Sequence, residues 1–225
     1  MGRLILYHGS SEIVKIPELN KGKIYNDYGK GFYCTKHIEL AREWACTENH
    51  DGYVNQYKLE TGDLKILNLS SENYTILHWL ALLVENRRVR VSTPVMRRGV
   101  EWLANDFLLD ISGFDVVIGY RADDSYFSFA RAFLNNEISL QQLSYAMRLG
   151  ELGEQFVLKS KKAFDMIRFL SCERVDNTLY YAKRKVRDEQ ARAAFIKEAE
   201  KEDLEGWYIR DMIREGVRAD DPRIR

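Results

Sequence analysis

Two short motifs near the N-terminus combine residue types that can hold and stack a ligand. They are Tyr7-His8-Gly9-Ser10 and Gly29-Lys30-Gly31-Phe32-Tyr33. An imidazole can donate or accept a hydrogen bond, and a glycine lets a ligand approach the backbone closely because it lacks a Cβ atom. Tyr33 and Trp44 add flat aromatic faces. Each motif is also compatible with an ordinary turn or loop, and Trp44 with the apolar side of a helix.

Charged residues form two further groups. Asp123 and Asp124 follow a predicted buried strand, where paired carboxylates could orient or activate an acceptor nucleophile, or cap the next helix. A cluster of arginines could contact phosphate groups or form a solvated helix face; its members are Arg87, Arg88, Arg90, Arg97 and Arg98. Histidines and cysteines show no spacing typical of metal ligands, so no metal site is predicted.

Hydrophobic periodicity and turn residues predict the elements that would position these groups. The predicted strands are 3–8, 31–35, 53–59, 64–69, 114–120, 155–159 and 166–172, with 53–59 and 64–69 forming a β-hairpin. The predicted helices begin at residues 37, 72, 94 and 139, and Ser139 with Gln142 matches a capping box. Residues 11–30 show little periodicity, so we expect a long loop there.

With these motifs in this order, the sequence resembles the ADP-ribosyltransferase superfamily, in the branch of poly(ADP-ribose) polymerases and diphtheria-type toxins. Within that branch it is similar to the bacterial DUF3990 family. In those proteins a first strand ends in His-Gly-Ser/Thr, and a second begins Gly-Lys-Gly-apolar-Tyr. The resemblance implies an α+β fold with a split, mostly antiparallel sheet, inserted helices and a helical C-terminal extension. It also implies NAD⁺ as the substrate, without a metal.

The resemblance also implies roles for individual residues. His8 would bind a ribose hydroxyl on the adenosine side of NAD⁺, and the backbone of Gly9 would bind the nicotinamide carboxamide. Tyr33 and Trp44 would stack on the nicotinamide ring. The flanking motif residues Ser10 and Gly31 complete the implied NAD⁺-binding set.

A third catalytic position departs from the family pattern. Relatives begin a later strand with Glu followed by Tyr, and aligning Phe156 with that Tyr puts Gln155 in the catalytic position. The adjacent Glu154 points to the opposite face of the strand, so it could serve only if the register shifts by one residue. A glutamine can bind a ribose hydroxyl but carries no negative charge, so we expect single transfers or slow turnover. Higher turnover in Gln155→Glu would support this alignment.

These implications predict a mono-ADP-ribosyltransferase that modifies a protein or nucleic-acid acceptor and releases nicotinamide. In bacteria such an enzyme could be a toxin or a phage-defence effector, with a neutralising antitoxin as a partner. Two alternatives remain open. One is an inactive NAD⁺-binding or interaction module, and the other is an NAD⁺ glycohydrolase that uses water as the acceptor.

Composition limits the remaining classes of protein. The 225 residues contain 34 basic and 34 acidic side chains, which argues against a general polyanion binder but not against a specific nucleic-acid acceptor near the arginine cluster. Three scattered cysteines and the lack of a long apolar run predict a cytoplasmic protein that does not enter a membrane. Because charged residues become dense after Lys183, we expect a domain over 1–182, with a helical insert at about 70–110, and a charged helical extension over 183–225.

Overall fold

The computed structural model describes residues 2–87, 89–149 and 153–224. The strands are β1 (Arg3–Ser10), β2 (Phe32–Thr35), β3 (Gly52–Glu60), β4 (Ile66–Asn68), β5 (Val116–Tyr120), β6 (Glu154–Leu158) and β7 (Ile167–Val175). The helices are α1 (Ile38–Ala45), α2 (Ile76–Asn86), α3 (Pro94–Asp106), α4 (Asp124–Leu134), α5 (Leu140–Ala146), α6 (Lys161–Met166), α7 (Asn177–Ala199) and α8 (Ile209–Arg214). This α+β architecture confirms the predicted fold class.

The strands form one seven-stranded sheet in the order β4-β5-β6-β2-β1-β3-β7. Its pairings are antiparallel except that between β4 and β5. The predicted hairpin of residues 53–59 and 64–69 is therefore wrong. β3 has both edges occupied, by β1 and β7, so β4 cannot pair with it. Instead the backbone N–H of Lys65 donates to the Asp115 carboxylate at 2.8 Å, which holds the start of β4 beside β5.

The sheet opens between β2 and β1, which are neighbours near its centre. β1 pairs with β3 along all eight of its residues, but with β2 it pairs at Tyr7 and Thr35. Within residues 2–87 this second pairing does not continue to His8–Ser10. On its other side β2 pairs with β6 from Phe32 to Thr35. The end of β1 and the beginning of β2 therefore form a split in the sheet.

The largest core cluster is built mainly by helices that pack on the sheet. Most of its buried members come from α2 to α5, and others come from the C-terminal region, where they are Ala191, Ile209, Met212, Val217 and Ile224. The change in composition near Lys183 falls inside α7, which begins at Asn177. The C-terminal helices thus contribute to the same core as the helices of residues 70–110. None of the helices within the described ranges has the length and apolar character needed to cross a membrane.

Gly9 lies where β1 passes closest to α1. A Cβ atom at Gly9 would be 2.1 Å from the Ala41 carbonyl oxygen and 2.7 Å from the Ala45 nitrogen, both backbone atoms of the helix. We therefore expect Gly9→Ala to lower the free energy of unfolding by about 1–3 kcal/mol, because α1 must move away from the sheet. The change should lower Tm by roughly 2–4 °C per kcal/mol in thermal unfolding. Gly113→Ala is the control, since a Cβ atom there meets nothing within 4 Å. Equal Tm values for the two variants would contradict the expected clash.

Candidate functional site

A cleft of about 590 Å³ opens at the split between β1 and β2. Nine of the candidate site residues from the sequence line it, namely His8, Gly9, Ser10, Gly31, Tyr33, Trp44, Arg87, Asp123 and Gln155. The loop between β1 and β2 also lines the cleft, with residues between Glu12 and Asp27. Glu154 does not line the cleft. The side chain of Asp124 and all of Arg88 lie outside the described part of the chain.

His8 bridges the split. Its Nδ1 lies 2.7 Å from the carbonyl oxygen of Tyr33, and its ring packs against Phe32 with centroids 4.5 Å apart. Because a carbonyl oxygen only accepts hydrogen bonds, Nδ1 must carry the proton, and Nε2 of the neutral ring is then an acceptor. Burial lowers the pKa of His8, and the bond to Tyr33 opposes this shift without cancelling it. The geometry therefore selects a neutral imidazole of one tautomer.

The lowered pKa of His8 predicts a pH dependence. In the folded protein His8 should titrate below its ordinary value of about 6.5, because burial disfavours the imidazolium. The unfolded chain then binds this proton more tightly than the folded protein does. The contribution of His8 to stability is therefore present above pH 6.5 and decreases as the pH falls below it. NMR titration of the histidine rings, with His8→Ala to assign the resonance, would measure the midpoint, and a value above 6.5 would contradict the expectation.

Tyr33 has a structural contact as well as a face on the cleft. Its hydroxyl donates to the Gly29 carbonyl at 2.6 Å and accepts from the Tyr28 N–H at 3.1 Å. Gly29 has φ = +71°, a left-handed conformation that favours glycine. Burial raises the pKa of Tyr33, so the hydroxyl stays protonated. The hydroxyl thus anchors the turn before β2, while the ring contributes to the cleft wall.

One face of the Trp44 ring is occupied by another side chain. The guanidinium of Arg121 lies directly over its ring, where it makes the cation–π contact that was expected of a ligand. Arg121 is held by an ion pair between its Nε and the Asp123 carboxylate. Asp123 occupies the N-cap position of α4 but accepts no capping hydrogen bond through its side chain. Asp123 therefore pairs with the arginine that contacts Trp44.

Gln155 is nearly enclosed, with 3 % of its surface exposed. It lies on β6 between Thr35 of β2 and Gly119 of β5. Its Nε2 donates to Asp27 Oδ2 at 2.7 Å and to the Tyr120 carbonyl at 3.1 Å. Both amide hydrogens are used by these two bonds, so the carbonyl oxygen Oε1 is the polar atom of the side chain that remains for a ligand.

Asp27, like Arg121, is a cleft residue that sequence analysis missed. It is 4 % exposed, and its Oδ2 also accepts from the Ala122 N–H at 2.8 Å, while Oδ1 lies 2.7 Å from Arg87 Nη2. Burial raises the pKa of Asp27, and Arg87 is the strongest of several groups that oppose the shift. The residue falls in the predicted loop over 11–30. Its only sequence signal was its place two residues before the Gly29-Lys30-Gly31 motif.

Arg87 lies in the cleft wall, apart from the other described arginines of the cluster. Its Nη2 also donates to the Ala122 carbonyl at 2.6 Å, so Asp27 and Arg87 together hold the backbone of Ala122. Arg90, Arg97 and Arg98 are exposed. The described members of the cluster therefore do not form one surface, because Arg87 is part of the cleft wall.

Comparison with known proteins yields one match. A family model described as a protein of unknown function, DUF3990, matches residues 4–169. No curated protein and no solved structure matches the chain. The matched segment contains all the cleft residues discussed above, from His8 to Gln155.

Proposed function

The chain belongs to the DUF3990 family, and we propose that it transfers ADP-ribose from NAD⁺ to a macromolecular acceptor and releases nicotinamide. The observation that carries this proposal is the convergence of His8, Tyr33 and Gln155, distant in sequence, on one cleft at the split of the sheet. The resemblance of their motifs to those of ADP-ribosyltransferases supports it. A volume of about 590 Å³ suits a small-molecule site.

In the proposed reaction the bond between nicotinamide and ribose C1′ breaks, and nicotinamide leaves with the electron pair. An acceptor nucleophile forms the new bond to C1′ and loses its proton to a base or to water. His8 Nε2 would accept from an adenosine ribose hydroxyl, and the Tyr33 ring would pack against the nicotinamide. Gln155 Oε1 would accept from a hydroxyl of the nicotinamide ribose, which places partial negative charge near the developing cation.

We propose that the acceptor approaches this site through a second cleft. It has a volume of about 490 Å³, is lined by residues of α1, α4 and α7, and shares Asp123 with the first cleft. A nucleophile bound there would approach C1′ past the Asp123–Arg121 ion pair. We therefore place Asp123 on the acceptor side, where it could orient the nucleophile.

Incubation of the purified protein with NAD⁺ labelled on the adenosine side, in the presence of bacterial lysate, tests the proposal. We expect the label to appear on macromolecules together with released nicotinamide. Sensitivity of the labelled product to protease or to nuclease would identify the class of acceptor. Free ADP-ribose alone would instead indicate a glycohydrolase, and no release of nicotinamide would indicate an inactive binding module.

The resemblance also supports a cellular role as a bacterial toxin or phage-defence effector, with cytoplasmic targets and an antitoxin partner. Controlled expression in bacteria tests this role, since an active transferase of that kind should arrest growth. A cleft variant such as His8→Ala, expressed at the same level, should not.

A further inference from the structure

Given the proposed function, we infer that Asp27 is a positioning residue that fixes the Gln155 amide so that Oε1 is presented to the ribose. The family pattern has a glutamate at the position of Gln155. In this chain the carboxylate belongs instead to Asp27, which is hydrogen-bonded to Gln155. The inference begins with the amide orientation. Nε2 faces a carboxylate oxygen at 2.7 Å and a carbonyl oxygen at 3.1 Å. Rotation of the amide by 180° would place Oε1 against two acceptors, which removes both hydrogen bonds and adds repulsion.

Asp27 holds this orientation more firmly than Tyr120 does. The Tyr120 carbonyl also accepts from the Tyr28 hydroxyl at 2.8 Å and from Trp79 Nε1 at 3.1 Å, so it is shared among three donors. The contact with Asp27 is shorter and charge-assisted, which makes it the stronger of the two bonds.

The surroundings of Asp27 keep it an acceptor. The Ala122 N–H, Gln155 Nε2 and Arg87 Nη2 are all donors, and no acceptor among the described residues is bonded to this carboxylate. Arg87 pairs with the other carboxylate oxygen of Asp27, so Oδ2 remains directed at Gln155 and Ala122.

A double-mutant cycle between Asp27→Asn and Gln155→Ala tests the inference, with kcat for nicotinamide release as the measure. Asp27→Asn should lower kcat by about 10- to 100-fold, with little change in the KM for NAD⁺. The single oxygen of the asparagine can replace only one carboxylate oxygen, its NH2 group then faces a donor, and the bond that orients Gln155 loses its charge assistance. In the Gln155→Ala background the same change should have little further effect. Two results would overturn the inference. One is a double variant whose loss in kcat equals the product of the two single losses, and the other is wild-type kcat in Asp27→Asn.

Asp115→Asn is the matched control. Asp115 is also buried and also accepts from a backbone N–H, that of Lys65, but it does not line the cleft. Its replacement should lower the free energy of unfolding without changing kcat. A similar fall in kcat in both variants would mean that Asp27 acts only through stability.

A spectroscopic measurement separates this inference from the proposed function. In the wild type the Gln155 side-chain amide protons should exchange slowly with solvent, and in Asp27→Asn they should exchange faster; Gln155→Ala assigns the NMR signal. If the wild type does not turn over NAD⁺, the proposed function fails, while the amide signal still decides whether Asp27 orients Gln155. Equal exchange in the wild type and Asp27→Asn would overturn the inference.

Discussion

His8→Ala should lower the rate of nicotinamide release from NAD⁺ by about 10²-fold or more while the protein remains folded. The change removes two features at once. One is the hydrogen bond from Nδ1 to Tyr33 across the split, and the other is the Nε2 acceptor proposed to bind ribose. Steady-state kinetics of nicotinamide release would measure the loss, and circular dichroism with thermal unfolding would confirm the fold.

Two variants separate the causes of this effect. His8→Asn retains a donor for the Tyr33 carbonyl but places no acceptor where Nε2 lies, so it should fold well and still turn over slowly. His50→Ala removes an exposed imidazole outside the cleft and should behave as the wild type. Wild-type turnover in His8→Ala would show that the NAD⁺ site has been assigned to the wrong residues.

Gln155→Glu should lower the free energy of unfolding by about 3–5 kcal/mol, the typical cost of an unpaired buried charge, and should not raise turnover. From the sequence alone, restoring Glu was expected to raise activity if the alignment is right. From the structure we instead expect turnover not to rise. The new carboxylate would lie where Nε2 now donates, 2.7 Å from Asp27 Oδ2 and 3.1 Å from the Tyr120 carbonyl. Two carboxylates at that separation cannot both ionise without a large cost.

Denaturant unfolding and nicotinamide release together measure this effect. Gln141→Glu is the control, because the Gln141 oxygen accepts from the Trp207 N–H and a carboxylate can do the same. It should change stability by no more than about 0.5 kcal/mol. Adding Asp27→Asn to Gln155→Glu should restore part of the lost stability by removing the repulsion. A stable Gln155→Glu protein with faster turnover would contradict the arrangement described here.

Much of the local structure could be predicted from local patterns. The strand that ends in the His8 motif, the strand after Gly31 and the helix that carries Trp44 all form. The capping box is present as reciprocal bonds between Ser139 and Gln142. Such features depend on residues a few positions apart, so periodicity, caps and turn residues are sufficient to indicate them. The DUF3990 resemblance rested on equally short motifs, and the family match confirms it.

Which groups meet in space depended on tertiary structure. Local alternation indicates a strand but does not identify its neighbour, which is why the predicted hairpin failed when β3 paired with β7. Gly9 was expected to let a ligand approach the backbone. The structure adds a second requirement for glycine at this position, because a Cβ atom would collide with the backbone of α1. The spacing of Trp44 could not show that Arg121 lies over one face of its ring, because the two residues belong to distant segments.

The central contact of the site could not be seen in the sequence for the same reason. Asp27 and Gln155 are 128 positions apart, and each is an ordinary polar residue in its own segment. The fold brings them together in a buried position. Their hydrogen bond is strong there because water does not compete for the donor and the acceptor. The sequence by itself indicated His8, Tyr33 and Gln155 as candidate site residues. The tertiary structure brought Asp27 to Gln155 and decided which atom of Gln155 is available to a ligand.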